Sequence, residues 1–264
     1  MTRFTKAHAC GNDFLIVEGK ADPSLAIRLC ARNTAVGADG IEFFAWTGDP
    51  SGRIRLVNAD GSVAEISGNG TRCVAAWMAH QRGLKPGDSV KIETDAGLRE
   101  CRLVKVDGPR FEFAQGMGVP VLKDKGVKLK DGAEVAGVAV STGNPHFVIF
   151  VDGAEFETHG RDWQALGREI CFHPDFPEQT NVEFVRVIDT GLIEIRIFER
   201  GVGPTSSSGT GSCATGTAAI ARRGLGSSVV VRAPGGEQCV DWLGDGSEIV
   251  LTGPAELIAT GEAW

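Results

Sequence analysis

Alternation of apolar and polar positions dominates the chain and predicts strands. In Leu192–Glu199, Ile193, Ile195 and Ile197 share one face while Glu194 and Arg196 share the other. The same period of two runs through Arg53–Asn58, Ser89–Thr94, Leu98–Val106 and Pro109–Phe113. Helical spacing is rarer. Residues 23–33 begin after Asp22 with Pro23, a cap followed by proline at the first helical position. Residues 159–171 carry Trp163, Leu166 and Ile170 on one helical stripe. Two more helices are predicted after the stretches "SGNG" (67–70) and "SGTG" (208–211).

Those two stretches belong to an internal repeat. Ser67 and Ser208 lie 141 positions apart, and Gly68 and Gly70 map onto Gly209 and Gly211 at the same offset. The helices that follow end alike, at Arg82-Gly83 and Arg223-Gly224, with glycine where a helix C-cap favours it. A weaker echo pairs "GNDF" (11–14) with "GNPHF" (143–147). The pattern predicts two similar α/β halves, 1–118 and 119–264, joined near residues 115–122, with a cleft between them.

Composition narrows the class. The chain has 264 residues, 42% hydrophobic and 23% charged, with a formal net charge of -7. That balance argues against a nucleic-acid surface. No apolar run approaches membrane-spanning length, and the start lacks the apolar core of a signal peptide. Seven cysteines without a CxxC pair point to a reducing compartment and no disulfide frame, so a cytoplasmic protein is expected. His8, His80, His146, His159 and His173 are scattered, which gives no metal site. Neither glycine loop continues as a P-loop or a dinucleotide fingerprint, and no GxSxG elbow is present. No cofactor is expected.

A helix N-terminus offers unpaired N–H groups and partial positive charge, and glycines let the backbone come close to a ligand. Two such ends across a cleft would grip a carboxylate and stabilise negative charge developing beside it. One acid–base side chain at each lip would then flank the bound carbon from opposite faces. Removing a proton on one side and returning it on the other inverts a stereocentre.

Six motifs strengthen that chemistry. "HACGNDF" (8–14), "AVGADG" (35–40), "NADGSVAEISGNGTRC" (58–73), "TGNPHF" (142–147), "FPEQTNVEF" (176–184) and "FERGVGPTSSSGTGSC" (198–213) resemble, in order, those of the diaminopimelate epimerase family. The resemblance implies an α/β (α+β) fold of two pseudo-symmetric halves, each a curved, mainly antiparallel sheet around a central helix, with the last strand (254–264) a candidate to complete the first half. It implies cofactor-independent inversion of an amino-acid α-carbon, on a small zwitterionic amino-acid substrate, in a family whose members are often homodimers. No nucleic acid or membrane partner follows. By the same resemblance Asn12, Asn58, Asn144, Asn181, Glu199 and Arg200 would bind substrate. Gly68, Asn69, Gly209 and Thr210 would offer backbone contacts, and His146 and Glu199 would support catalysis. The residue types suit these roles. Arg200 can hold a distal carboxylate bidentately, Glu199 can accept from an ammonium, and asparagine amides donate and accept together.

The chain departs from that family at its two acid–base positions. Where the family carries a cysteine before each Gly-x-Gly, this sequence has Ser67 and Ser208, and Pro204 stands where the family's pattern usually has glutamate. Cys73 and Cys213 lie nearby but inside the expected helices. Cys10, beside Asn12, is expected to be a buried structural thiol. A hydroxyl is a far weaker acid than a thiol and must borrow a base; His146 and Glu199 are the candidates, with His8 a distant third. Three readings follow: an epimerase working with serines at residues 67 and 208 as catalytic groups, a related racemase or hydroxyproline epimerase or dehydratase, and a non-catalytic or Cys-to-Ser engineered homologue that only binds ligand.

Overall fold

A computed structural model describes residues 1–64 and 66–264. The chain divides into two compact units, Met1–Gly116 with Thr252–Trp264, and Met117–Leu251.

The first unit contains β1 (Thr2–Ala9), β2 (Asn12–Glu18), α1 (Pro23–Cys30), β3 (Gly40–Gly48), β4 (Ser51–Asn58), β5 (Val63–Ala64), α2 (Gly68–Arg82), β6 (Ser89–Thr94), β7 (Gly97–Asp107) and β8 (Arg110–Gly116). The second contains β9 (Val121–Lys128), β10 (Glu134–Ser141), β11 (Pro145–Phe150), α3 (Trp163–Cys171), β12 (Asn181–Val187), β13 (Leu192–Glu199), β14 (Gly203–Thr205), α4 (Gly209–Arg223), β15 (Ser228–Ala233) and β16 (Gly236–Asp241). The last strand, β17 (Val250–Ala263), belongs to the first unit from Thr252 onward and pairs there with β1 and β8.

The strands of the two units repeat one pairing scheme. In the first, β1–β2 is antiparallel, β2–β3 parallel, β3–β4 antiparallel and β4–β6 parallel. In the second, β10–β11 is antiparallel, β11–β12 parallel, β12–β13 antiparallel and β13–β15 parallel. Most pairings are antiparallel, and each parallel one is bridged by a helix-containing connection, as the geometry of parallel strands demands.

Each unit has a helix at its centre. In α2 every residue from Asn69 to Ala79 is buried, and Val74, Trp77 and Met78 pack with Phe14, Ile16, Phe44, Ile92 and Phe113 from the surrounding strands. In α4 the small residues of "GTGSCATGTAA" let the helix sit among Val148, Val185, Ile195, Val231 and Val240. Its buried hydroxyls turn back on the helix: Thr215 donates to the Gly211 carbonyl at 2.9 Å and Thr217 to the Cys213 carbonyl at 2.8 Å. A helix buried all round loses the one-sided stripe that marks a surface helix. In each unit a second helix, α1 in the first and α3 in the second, packs on the strands through a separate apolar cluster and does carry such a stripe.

Some element boundaries differ from the sequence pattern. Helix α1 stops at Cys30 rather than residue 33, because Ala31 is extended and Arg32 turns to the carboxylates of Asp13 and Asp39. Helix α3 starts at Trp163 rather than residue 159. His159 and Gly160 adopt positive φ in a turn closed by the Thr158–Arg161 bridge, and Asp162 then caps the Ala165 N–H at 2.7 Å.

Candidate active site

Both serines are helix N-caps. Ser67 is extended (φ -124°, ψ 122°), and its Oγ accepts from the Gly70 N–H at 3.1 Å. Ser208 is extended (φ -147°, ψ 128°), and its Oγ accepts from the Gly211 N–H at 3.1 Å. Each serine carbonyl also accepts a hydroxyl one turn on, from Thr71 and Ser212, both at 2.8 Å. Around Gly68 there is open space: a Cβ there would meet nothing within 4 Å. The first turn of α2 therefore has room beside Gly68 for a ligand.

In the first unit the polar groups form a branched network. Asn69, buried, donates to Asn12 Oδ1 at 3.4 Å and accepts from Arg72 Nη2 at 2.5 Å. Asn12 donates to Asp39 at 2.6 Å. Burial pushes Asp13 up, but hydrogen bonds from Arg32 and Lys6 outweigh it and hold the carboxyl below the usual aspartate range. Asn58 stands apart from this network. Its amide donates to Ser62 Oγ at 3.0 Å within the β4–β5 turn.

In the second unit a hydrogen-bonded chain leads from a buried carboxylate to the serine. Glu183 Oε1 lies 2.7 Å from His146 Nδ1, His146 Nε2 lies 2.9 Å from Asn144 Oδ1, Asn144 donates to Thr210 Oγ1 at 3.4 Å, and Thr210 Oγ1 lies 3.5 Å from Ser208 Oγ. His146 and Glu183 have fully buried side chains. Burial pushes the Glu183 carboxyl up, and the neighbouring imidazole pulls it back part of the way. His146 therefore does not touch Ser208; it reaches that hydroxyl through Asn144 and Thr210.

Glu199 ends β13, and its carboxylate makes no hydrogen bond or ion pair among the described residues. Burial raises it, the charge of Glu183 raises it further, and His146 opposes both. Asn181 spends its amide on backbone, donating to the Pro145 carbonyl at 3.1 Å and accepting the Arg200 N–H at 2.9 Å. Arg200 Nη1 donates to the Glu178 carbonyl at 2.9 Å, which leaves the guanidinium without a carboxylate among the described residues.

The remaining thiols near the loops are core groups. Cys73 and Cys213 are fully buried in α2 and α4, and burial pushes the Cys73 thiol far up. Cys10 is buried in the β1–β2 turn, where it and Gly11 both have positive φ, the geometry of a tight hairpin. His8 faces Glu256 at 3.7 Å, within the first unit, so it is tied to β17 rather than to α2. Pro204 sits in β14 opposite Phe198.

Sequence reasoning missed Glu42, Glu183, Asp39 and Arg72. Glu42 and Glu183 carried a readable signal. Each is a charge inside an apolar strand, "GIEFF" and "NVEFV", and they lie at the same 141-residue offset as the serines.

Residues 4–123 and 138–258 match the family model described as diaminopimelate epimerase. The chain is 37% identical to the diaminopimelate epimerase of Acaryochloris marina, with 98% of this chain and 97% of that protein covered. It is 38% identical to the diaminopimelate epimerase of Desulforudis audaxviator, with 98% of each covered. Among solved structures, a predicted epimerase from Pseudomonas aeruginosa superposes with a TM-score of 0.75 at 15% identity, over 100% of this chain and 99% of that one.

Proposed function

Because the chain belongs to the diaminopimelate epimerase family, we propose that it is a cofactor-independent amino-acid epimerase that interconverts LL- and meso-diaminopimelate. Each unit supplies one proton-handling end, Ser67 in the first and Ser208 in the second. Glu199 and Arg200 meet the distal ammonium and carboxylate of the substrate, and Asn12, Asn58, Asn144 and Asn181 shape the polar lining. The backbone of Gly68, Asn69, Gly209 and Thr210 meets the carboxylate beside the reacting carbon.

The observation that carries this reading is the chain Glu183–His146–Asn144–Thr210–Ser208. A serine hydroxyl near neutral pH needs a base to become a proton acceptor. Because the Asn144 amide donates to Thr210, the chain orients the Ser208 hydroxyl without carrying its proton to His146, and the raised, uncommitted carboxyl of Glu199 in the same unit is the group able to take one. Positioned acid–base groups contribute about 10²- to 10⁴-fold in rate, which sets the scale of what the absent thiols forgo.

A second reading is favoured by the capping geometry. Each serine Oγ is committed to the N–H of the second glycine in its loop, which is what a purely structural cap does. On that reading the protein binds the amino acid without turning it over.

The two readings separate in deuterated water. LL-Diaminopimelate incubated with the protein should lose its α-proton signal by NMR, and His146→Ala should abolish that loss. If only a Ser67→Cys/Ser208→Cys double variant exchanges the proton, the site binds the substrate and lacks its acid and base. If neither chain exchanges it, diaminopimelate is the wrong substrate. Among the described residues no helix is long and apolar enough to cross a membrane. The reading takes the chain to act in the cytoplasm on a free small molecule, as a homodimer that sedimentation would detect.

A further inference from the structure

Glu42 lies on β3 and faces the N-terminal turn of α2. It is fully buried, and among the described residues neither carboxyl oxygen has a hydrogen-bond partner. An added Cβ on Gly70 would collide with Glu42 Oε1, and would sit 3.0 Å from its Cδ and 3.3 Å from the Ser67 Cβ. The second glycine of "SGNG" is therefore where the loop rests on this carboxyl, with the capping serine on the same side. In the other unit the corresponding point on Gly211 lies 3.1 Å from Glu183 Oε1 and 3.2 Å from Ser208 Oγ.

The two carboxyls differ in what faces them. In the parallel pair β11–β12, His146 stands opposite Asn181, two residues before Glu183. In the parallel pair β2–β3, Phe14 stands opposite Gly40, two residues before Glu42. Phe14 thus occupies the position of the histidine, and it has no proton to give. The charged groups on the elements around Glu42 are engaged elsewhere. Asp13 on β2 is held by Lys6 and Arg32, and Arg53 and Arg55 on β4 pair with Glu93 and Asp95. Arg72 on α2 turns to Asn69 and the Pro254 carbonyl, and burial pushes the Cys73 thiol far up; Glu18 at the end of β2 is exposed, as are His80 and Arg82 in the last turn of α2, where Arg82 pairs with Asp49.

We propose that Glu42 is a positioning residue whose buried carboxyl must be neutral for the Ser67 loop to hold the carboxylate of the substrate. The N-terminus of α2 attracts an anion through its partial positive charge. An ionised Glu42 directly beneath it would cancel that attraction and repel the ligand across a short, dry distance. Burial alone raises Glu42 to about 8, so the neutral form prevails at pH 7. By reciprocity, a bound carboxylate holds the Glu42 proton more tightly, and binding near pH 8 takes up protons. At the Ser208 loop Glu183 instead has His146 Nδ1 at 2.7 Å, which opposes the rise that burial imposes on it. The proposal rests on the epimerase reading for the identity of the ligand.

The test is calorimetric titration of LL-diaminopimelate at pH 8 in two buffers of different ionisation heat, on the intact chain and on Glu42→Gln. The intact chain should take up a fraction of a proton per ligand and the variant none beyond the ligand's own. Between pH 6.5 and 9.5 the intact chain should lose roughly tenfold more affinity than the variant, the scale of one nearby charge. Equal proton uptake and equal pH dependence in both chains would overturn the role of Glu42 while leaving the epimerase reading intact. If diaminopimelate binds neither chain, the epimerase reading falls, and inorganic sulfate decides the matter through its effect on the melting temperature. Sulfate should then stabilise the intact chain more at pH 6.5 than at 9.5, and Glu42→Gln equally at both. Equal stabilisation of the intact chain at both pH values would overturn the proposal.

Discussion

Beside Gly211 a carboxyl is held by a histidine; beside Gly70 a carboxyl at the equivalent position has Phe14 at the register position of that histidine. Above the backbone the two loops match closely, with the same serine cap, the same 3.1 Å bond to the second glycine and the same left-handed glycine ending the helix. The likeness belongs to anion binding, which needs only backbone N–H groups and close approach. The difference belongs to proton handling, which needs titratable groups whose environments are pushed apart. One unit carries a chain of hydrogen bonds from Glu183 to Ser208, and the other carries a carboxyl that burial pushes up to about 8.

The largest effect should come from exchanging what faces the carboxyls. His146→Phe would give the second unit the environment of the first and leave Glu183 without its partner, at a cost of about 3–5 kcal/mol at pH 7 in denaturant unfolding. The reverse exchange, Phe14→His, should supply Glu42 with a partner and remove its pH response; an unchanged response would break the correspondence between the two strand pairs.

Next in size is the pH dependence of stability. Glu42 titrates near 4.5 in an unfolded chain and at about 8 when folded. Between those values the folded chain keeps a proton that the unfolded chain has released, so stability falls as pH rises through this window and the full penalty applies above it. Glu42→Gln should remove a penalty on the order of a few kcal/mol at pH 9 and change little at pH 4. Melting curves at both pH values check this, and a constant difference between the chains would contradict it.

Alanine at the two second glycines should separate the loops more finely. Gly70→Ala drives a methyl into the Glu42 carboxyl, whereas Gly211→Ala makes contacts of 3.1 to 3.2 Å with Glu183 and Ser208. The first should cost about 1–3 kcal/mol and the second less. Glu42→Ala should rescue the first and leave the second untouched, as a double-mutant cycle would show. The smallest and most even effect is expected at the caps. Ser67→Ala and Ser208→Ala should each cost about 1 kcal/mol, and a clear inequality would mean that one serine does more for its helix than the other.

Much of the fold is legible in the sequence. The 141-residue offset, the serine before each Gly-x-Gly and the glycine after each helix are local, because caps and turns depend on a few neighbouring residues. The strands follow from period-two alternation. The central helices are located through their caps rather than their periodicity, since full burial of residues such as Asn69 to Ala79 erases the polar face. Helices α1 and α3 end or begin elsewhere than their spacing predicts, because tertiary ion pairs and a positive-φ turn override it.

Short-range backbone and side-chain preferences settle the pair of helix ends, the serines that cap them and the strands that carry them. Which groups meet is settled only in the folded chain. Folding places His146 on Glu183 but Phe14 near Glu42, ties Asn58 into a turn, and commits the Asn181 amide to the backbone at Arg200. Those outcomes depend on strand register and on burial, which set both the partner and the dielectric around each charge, and neither can be read from a residue's neighbours in the chain.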